Sequence, residues 1–310
     1  MTATQKTLST RASSINRALD QLGDKWCLLI LQEVFWGINT FNEMLEATGA
    51  SRGVLSNRLQ WLQSVECLKK DRPADNPKRP VYHLTKRSFE LYANALMAIK
   101  WERQHYSTPV LDNIELIHNQ CGHSFWPQIR CNHCLLEIAH EDVFYHPGPG
   151  AKQDTRQIKT RRRSSIKIND NCNSSALYRH LTDLLGDRWT ANIVALSYHR
   201  LRRFEEFRKE LPIATNILAD RLKHLVDNGI FYRKPYQQAP PRYEYHLTDR
   251  GKDLYPYFLT LLQWGNKWCS DNDGDPMLLT HGPCNHHLRA DVYCDQCDQI
   301  LQANHVRVKK

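Results

Sequence analysis

The chain repeats itself. LGDKW at 22–26 returns as LGDRW at 185–189, and YHLT at 82–85 returns at 245–248, both 163 residues later. The same offset carries Phe41 to Phe204, Arg58-Leu59 to Arg221-Leu222, and Trp101 to Trp264. It also carries Cys121 to Cys284, Cys131 to Cys294 and Cys134 to Cys297. Matches spread over more than 110 residues without net insertion mark a tandem duplication, so whatever one copy folds into must occur twice. Each copy ends in a Cys/His cluster.

A chain of 310 residues has room for two domains or slightly more. At 41% hydrophobic and 24% charged it can build ordinary cores, which excludes a collagenous, wholly disordered or membrane-spanning chain. No run reaches the roughly 18 apolar residues of a transmembrane helix, and the start MTATQKTLSTRASS lacks a signal peptide's apolar stretch. A cytoplasmic protein without a membrane partner is expected. Forty-two Lys+Arg against 33 Asp+Glu leave +9, which favours a polyanionic partner, nucleic acid before membrane surface. In a reducing compartment the ten cysteines read as metal ligands rather than disulfides.

The expected organisation is a first domain over 13–110, a Cys/His tail over 111–146, a linker over 147–175, a second domain over 176–273 and a second tail over 274–310. The linker is rich in Pro, Gly, Ser and Asn and holds seven Lys/Arg against two Asp, more than half of the net charge. Its block Arg161-Arg162-Arg163 suits phosphate or minor-groove contact, or simply a solvated tether.

Within copy one, Ile15, Leu19, Leu22, Trp26, Leu29 and Ile30 recur at helical spacing, predicting one amphipathic helix up to Gly37. Thr40 is the expected N-cap of a short helix, and Ser51 that of the next. In that third helix Leu55, Leu59 and Leu62 face inward while Arg52, Gly53, Ser56, Asn57 and Gln60 share the outer face. Copy two repeats this with Leu218, Leu222 and Leu225 inside and Thr215, Asn216, Ala219, Asp220 and Lys223 outside. Strand signals follow at Cys67-Leu68 and 81–84, and at 230–232 and 243–247, around basic, proline-bearing tips. Helix, turn, polar-faced helix and β-hairpin make a winged helix-turn-helix. The fold class is α+β, mainly α: two such domains, each with a two-stranded wing and a small Cys/His zinc ribbon. A final helix in each copy, through Leu91, Leu96 and Trp101 and through Leu254, Leu259 and Trp264, has apolar faces too broad for one small domain, predicting a pairing interface.

Both copies resemble the HxlR-type winged-helix transcriptional regulators, relatives of the MarR-like group. The residues that carry this are LDQLGDKWCLLIL, FNEM, LSNRLQWL and VYHLT in copy one, and LTDLLGDRWTANIV, RFEEF, LADRLKHL, PPRYEYHLTDRGKDL and LLQWG in copy two. Ser88 stands in copy one where the usual glycine follows the wing. The resemblance implies operator binding by paired domains, so two units in one chain suggest a covalent pseudo-dimer. The resemblance also implies an oxidant- or electrophile-sensing cysteine just before the first helix. Here those positions are Ser13 and Ala176, with Cys172 four residues earlier.

The reading heads are expected at Ser51, Arg52, Ser56, Asn57 and Gln60, and at Thr215, Asn216, Asp220 and Lys223. Arg52 can donate to guanine, Asn57 or Asn216 can pair with adenine, and Asp220 can accept from cytosine N4 or repel phosphates. Arg58 and Arg221 suit a phosphate contact or a salt bridge equally. Wing residues Arg72, Lys78, Arg79, Arg233, Lys234 and Arg242 would touch backbone or minor groove and add salt dependence rather than sequence choice. Unlike heads predict a double-stranded operator with unlike halves.

The clusters are His118-x2-Cys121-x-His123-x7-Cys131-x2-Cys134 and His281-x2-Cys284-x-His286-x7-Cys294-x2-Cys297. The spacing predicts one structural zinc per copy, held by His118, Cys121, Cys131 and Cys134, and by His281, Cys284, Cys294 and Cys297. His123 and His286 compete for the fourth position, and His133 and His287 are bystanders. A site filled by four protein ligands is closed to substrate. With no nucleophile elbow or phosphate loop either, an enzyme is not expected. Cys27, Cys67 and Cys269 should pack as small apolar residues. The competing functional classes are a zinc-bearing protein–protein adaptor and a redox-responsive regulator sensing through the zinc thiolates. A small-molecule effector and further homodimerisation are both compatible with the sequence. Trp26, Trp101, Trp189 and Trp264 are expected in the core rather than around a ligand.

Overall fold

A computed structural model describes residues 10–74, 79–154 and 177–309. Lys78, the block 161–163, Cys172 and Ala176 lie outside the described residues. After the short strand β1 (Thr10–Arg11), copy one opens with α1 (Ser14–Leu22) and α2 (Lys25–Phe35). The single helix expected over this stretch is therefore two. A Cβ on Gly23 would lie 2.4 Å from the Leu19 carbonyl oxygen, so only glycine fits this close turn, and Asp24 then starts α2 by accepting from the Trp26 amide at 3.1 Å. The repeated LGD is thus a stop followed by a start. Gly186 and Asp187 do the same in copy two.

Next come α3 (Phe41–Thr48) and α4 (Arg52–Ser64). Thr40 and Glu43 form a capping box on α3, and the Ser51 hydroxyl accepts from the Val54 amide to cap α4. The hairpin β2 (Leu68–Asp71) and β3 (Val81–Leu84) forms the first wing. Helices α5 (Lys86–Phe89), α6 (Tyr92–His105) and α7 (Pro109–Asp112) lead to the tail strands β4 (Glu115–His118), β5 (Pro127–Cys131) and β6 (Val143–Pro147), and to β7 (Gln153–Asp154). Ser88 is fully buried on α5, and its hydroxyl donates to the Cys67 carbonyl at 2.6 Å. In copy two the equivalent Gly251 lies so close to the Ile230 carbonyl that an added Cβ would stand 2.4 Å away. Copy one has turned that close approach into a hydrogen bond.

Copy two repeats the order with α8 (Arg179–Leu185), α9 (Arg188–Ser197), α10 (Phe204–Glu210) and α11 (Thr215–Asp227). Its wing is β8 (Phe231–Gln237) and β9 (Arg242–Leu247), followed by α12 (Asp249–Lys252) and α13 (Tyr255–Cys269). Its tail strands are β10 (Met277–His281), β11 (His286–His287), β12 (Ala290–Cys294) and β13 (Val306–Lys309). The chain is therefore mainly helical, with two winged helix-turn-helix units.

The broad faces of α6 and α13 pack against each other, while α1 lies along α13 and α8 sits against α2 and α6. Three contacts join residues related by the 163-residue offset, and they mark a local two-fold axis. Asp24 bridges Asp187, Asn94 Nδ2 donates to the Tyr257 carbonyl at 2.8 Å, and Ile129 stands opposite Val292. Reciprocal bonds flank the axis. Trp101 Nε1 donates to the Arg250 carbonyl at 2.9 Å and Trp264 Nε1 to the Arg87 carbonyl at 2.8 Å. Both indoles are core residues, as is Trp26, whereas Trp189 is half-buried at the edge of a cavity.

The tails are not self-contained ribbons. β4 pairs with β13, β5 with β12 and β6 with β10, so each tail strand of copy one takes its partner from copy two. The expected linker begins later than 147, because Pro147 pairs with Met277 and β7 pairs with β1. Asp154 in β7 accepts from the buried Arg17 of α1 at 2.8 and 2.9 Å, and Arg17 also meets Asp271 at 2.7 Å. A buried guanidinium with two carboxylates is compensated in charge, and it fixes α1, the chain after β6 and the end of α13 together.

Candidate nucleic-acid interface and Cys/His centres

The amphipathic pattern of α4 puts Leu55, Leu59 and Leu62 in the core at no more than 1% exposure. That leaves Ser51, Arg52, Asn57 and Gln60 exposed on one face, with Ser56 half-buried. In α11 the buried set is Leu218, Leu222 and Leu225, and Thr215, Asn216, Asp220 and Lys223 are exposed. Lys223 also meets Asp227 at 2.6 Å on the same helix. Two solvated polar faces therefore stand on α4 and α11, the fourth helix of each copy.

Arg58 and Arg221 settle as clamps. The Arg58 guanidinium donates to both Asp24 oxygens at 2.9 and 2.8 Å, and Arg221 donates through Nε to one oxygen of Asp187. The carboxylates that cap α2 and α9 thus also fix the angle of α4 and α11. Both arginines are largely sheltered and face inward, away from the exposed set.

On the wings, Arg72, Arg233, Lys234 and Arg242 are exposed. Arg79 is tied back to Glu43 at 3.1 Å and approaches Thr40 at 3.4 Å, joining the first wing to the α3 cap. Hydrogen bonds from Thr40 and the nearby Arg79 hold the Glu43 carboxyl below its usual range. Glu244 is lowered by the Arg203 hydrogen bond and then by His246. The second wing also carries exposed Tyr232, Tyr236 and Tyr243, with Arg203 over the Tyr236 ring at 4.5 Å and Arg233 over Tyr243 at 5.2 Å. The sequence reading missed Arg203 and these rings. The interleaving of Tyr232, Tyr236 and Tyr243 with Arg233, Lys234 and Arg242 was the available signal.

The eight Cys/His ligands come together, but in a different partition. One group is His118, Cys121, Cys294 and Cys297, and the other is Cys131, Cys134, His281 and Cys284. Each takes its His-x2-Cys half from one copy and its Cys-x2-Cys half from the other, so the expected site per copy is replaced by two sites shared between copies. The cause is the strand pairing, because β5 against β12 carries each Cys-x2-Cys turn across the local axis.

His118 Nδ1 lies 3.2 Å from Cys297 Sγ and 3.6 Å from Cys121 Sγ. His281 Nδ1 lies 3.3 Å from Cys134 Sγ and 3.4 Å from Cys284 Sγ, and Cys131 and Cys284 sulfurs are 3.9 Å apart. A tetrahedron with the usual zinc bond lengths has edges of roughly 3.6–3.8 Å, so these donors fit one metal ion per group. Backbone amides of the turns also point at the sulfurs: His123 at Cys121, Cys134 at Cys131, His286 at Cys284 and Gln296 at Cys294. Each turn closes through a left-handed residue after its second ligand: Gly122, Leu135, Asn285 and Asp298. The imidazoles of His118 and His281 are fully buried, and their Nε2 atoms have no partner among the described residues.

His123 stands outside the first group, and His286 outside the second. His286 stacks on His133 at 3.4 Å, and together with Cys284 these two form a third, exposed set. Cys27, Cys67 and Cys269 are buried, as expected, and burial pushes the Cys67 thiol up to about 12. Ser13, at the position where a sensing cysteine was expected by resemblance, is the N-cap of α1. Among the described residues no helix is long and apolar enough to cross a membrane.

Comparison with known proteins meets this geometry at the two winged units. An HTH-type transcriptional regulator of Mycobacterium tuberculosis is 36% identical over 124 residues, covering 40% of this chain and 78% of the relative. The HTH-type regulator YdeP of Bacillus subtilis is 38% identical over 90 residues, or 28% of this chain and 68% of its own. The redox regulator HypR in its reduced form is 34% identical, with a TM-score of 0.27 over 30% of this chain and 92% of that one. The HxlR-like helix-turn-helix family model matches residues 21–109 and again 184–273, leaving both tails outside the match. Two matches, one on each winged unit and together spanning more than half of the sequence, make this chain a member of the HxlR-like helix-turn-helix family that carries the family's domain twice.

Proposed function

We propose that the chain is a non-enzymatic transcriptional regulator that binds double-stranded DNA through α4 and α11, as a covalent pseudo-dimer reading two unlike half-sites. The observation that carries this is the pair of exposed polar helix faces related by a local two-fold axis, the arrangement by which paired winged helices address successive major grooves. Family membership and the names of the curated relatives support a transcriptional role. The excess of basic residues supports a polyanionic partner. Arg52 and Asn57 on one head against Asn216 and Asp220 on the other would prefer different bases, which is why the halves should differ.

Two structural zinc ions complete the proposal, one in each shared Cys/His group. Their chemistry is closed coordination, which ties the copies together and leaves no position for substrate. Selection of bound duplexes from a random pool tests the DNA reading. Enrichment of one site with unlike halves, whose affinity falls linearly with salt on logarithmic axes, is the expected result. No enrichment above background would overturn it in favour of a protein–protein adaptor.

A further inference from the structure

The two copies differ where α1 meets copy two. A cavity of about 100 Å³ lies there, between α1, α9, α13 and the turn from α10 to α11. At the equivalent positions across the local axis the side chains are bulkier. Asn192, Ala195 and His199 line the cavity, whereas copy one has Leu29, Gln32 and Trp36 at those positions. Gln32 is buried and accepts from the Leu177 amide at 2.9 Å, and the buried Tyr178 stands where the open cavity has Ile15. The duplication has therefore given the two copies different walls at this place, which a homodimer of identical chains could not do.

The charge of the open cavity is also defined. Arg17 is satisfied by Asp154 and Asp271, and Arg188 donates to Asp20 at 2.5 Å. Glu210 lines the same cavity and has no ion-pair partner among the described residues. The remaining wall is largely apolar, with Ile15, Leu196, Leu211 and Leu262. An apolar space with one uncompensated carboxylate favours a cation with a hydrocarbon body, because the pairing offsets the desolvation of both charges. The size limits that body: a cavity of roughly 150 Å³ holds a benzene ring, so this one suits a branched chain of about four or five carbons.

We infer that the chain binds one small alkylammonium ion per molecule in this cavity, with Glu210 as its counter-ion. Leu211 and Pro212 of the wall form the turn that leads into α11, so an occupant touches the segment that positions the second reading head. That consequence rests on the regulator reading; the binding does not.

Calorimetric titration of the full chain with isopentylammonium, without DNA, tests the inference. One saturable site per chain is expected, weakened at least tenfold by Glu210→Gln and by Ala195→Gln, the residue copy one has at that position. Isovalerate, with a similar skeleton and the opposite charge, should not bind. Absence of saturable binding, equal binding of isovalerate, or an unchanged affinity in Glu210→Gln would each overturn it. Glu210→Gln is half-exposed and nearly isosteric, so its result holds even if Ala195→Gln does not fold. Because no DNA is present, a failure of the DNA reading would leave this outcome intact.

Discussion

Asp24 and Asp187 each serve twice, as the cap of a core helix and as the acceptor of an arginine from α4 or α11. The repeated motif LGD[KR]W could be seen in the sequence, and so could the repeated arginine. Their joining could not, because a salt bridge and a phosphate contact ask for the same side chain on the same helix and differ only in what faces it. Arg58→Ala should destabilise the chain by about 1–3 kcal/mol, since it leaves a sheltered carboxylate without its bidentate donor. Denaturant unfolding measures this; a change below a few tenths of a kcal/mol would return Arg58 to the surface. A second residue-scale expectation concerns Glu43 and Glu244, whose folded values lie below the usual 4.5. Their contribution to stability is present above that value and is lost as pH falls through the folded one. Carboxyl-carbon titration by NMR should give midpoints below 4.5 for both, and a midpoint at or above it would contradict the wing contacts.

Helix caps and core leucines were legible because they depend on neighbours in sequence: Thr40 and Ser51 begin helices as their side chains dictate. The partition of the Cys/His ligands was not. Duplication gives both copies the same half-sites, so a His-x2-Cys turn can be completed equally well by either Cys-x2-Cys turn, and spacing cannot choose. Pairing of β5 with β12 makes the choice. The two partitions predict opposite results for paired substitutions. Cys121→Ser with Cys297→Ser removes ligands from one shared group and should leave one zinc per chain by elemental analysis. Cys121→Ser with Cys131→Ser, both in copy one, should damage both groups and leave none. The reverse outcome would restore one site per copy. Chelation of the native chain should likewise loosen both tails at once, because every tail strand of copy one depends on copy two.

Across the whole molecule, the proposal is that the duplication acts as a dimer written into one chain. The apolar breadth of the last helices pointed to a pairing interface, and α6 and α13 bury those faces against each other. What periodicity could not supply was the crossing of the tails, which depends on how far the chain travels in space rather than on any local pattern. Covalent joining also frees the copies to diverge, and the unlike cavity walls and the unlike polar faces of α4 and α11 are the result. The central claim is that both winged units read DNA together. Footprinting of the selected operator by the native chain, Arg52→Ala and Asn216→Ala tests it most directly. The account predicts one protected site with two halves, in which Arg52→Ala weakens contacts in one half and Asn216→Ala in the other, and either loss lowers affinity for the whole. Protection that is indifferent to both substitutions, or confined to a single half in the native chain, would contradict it.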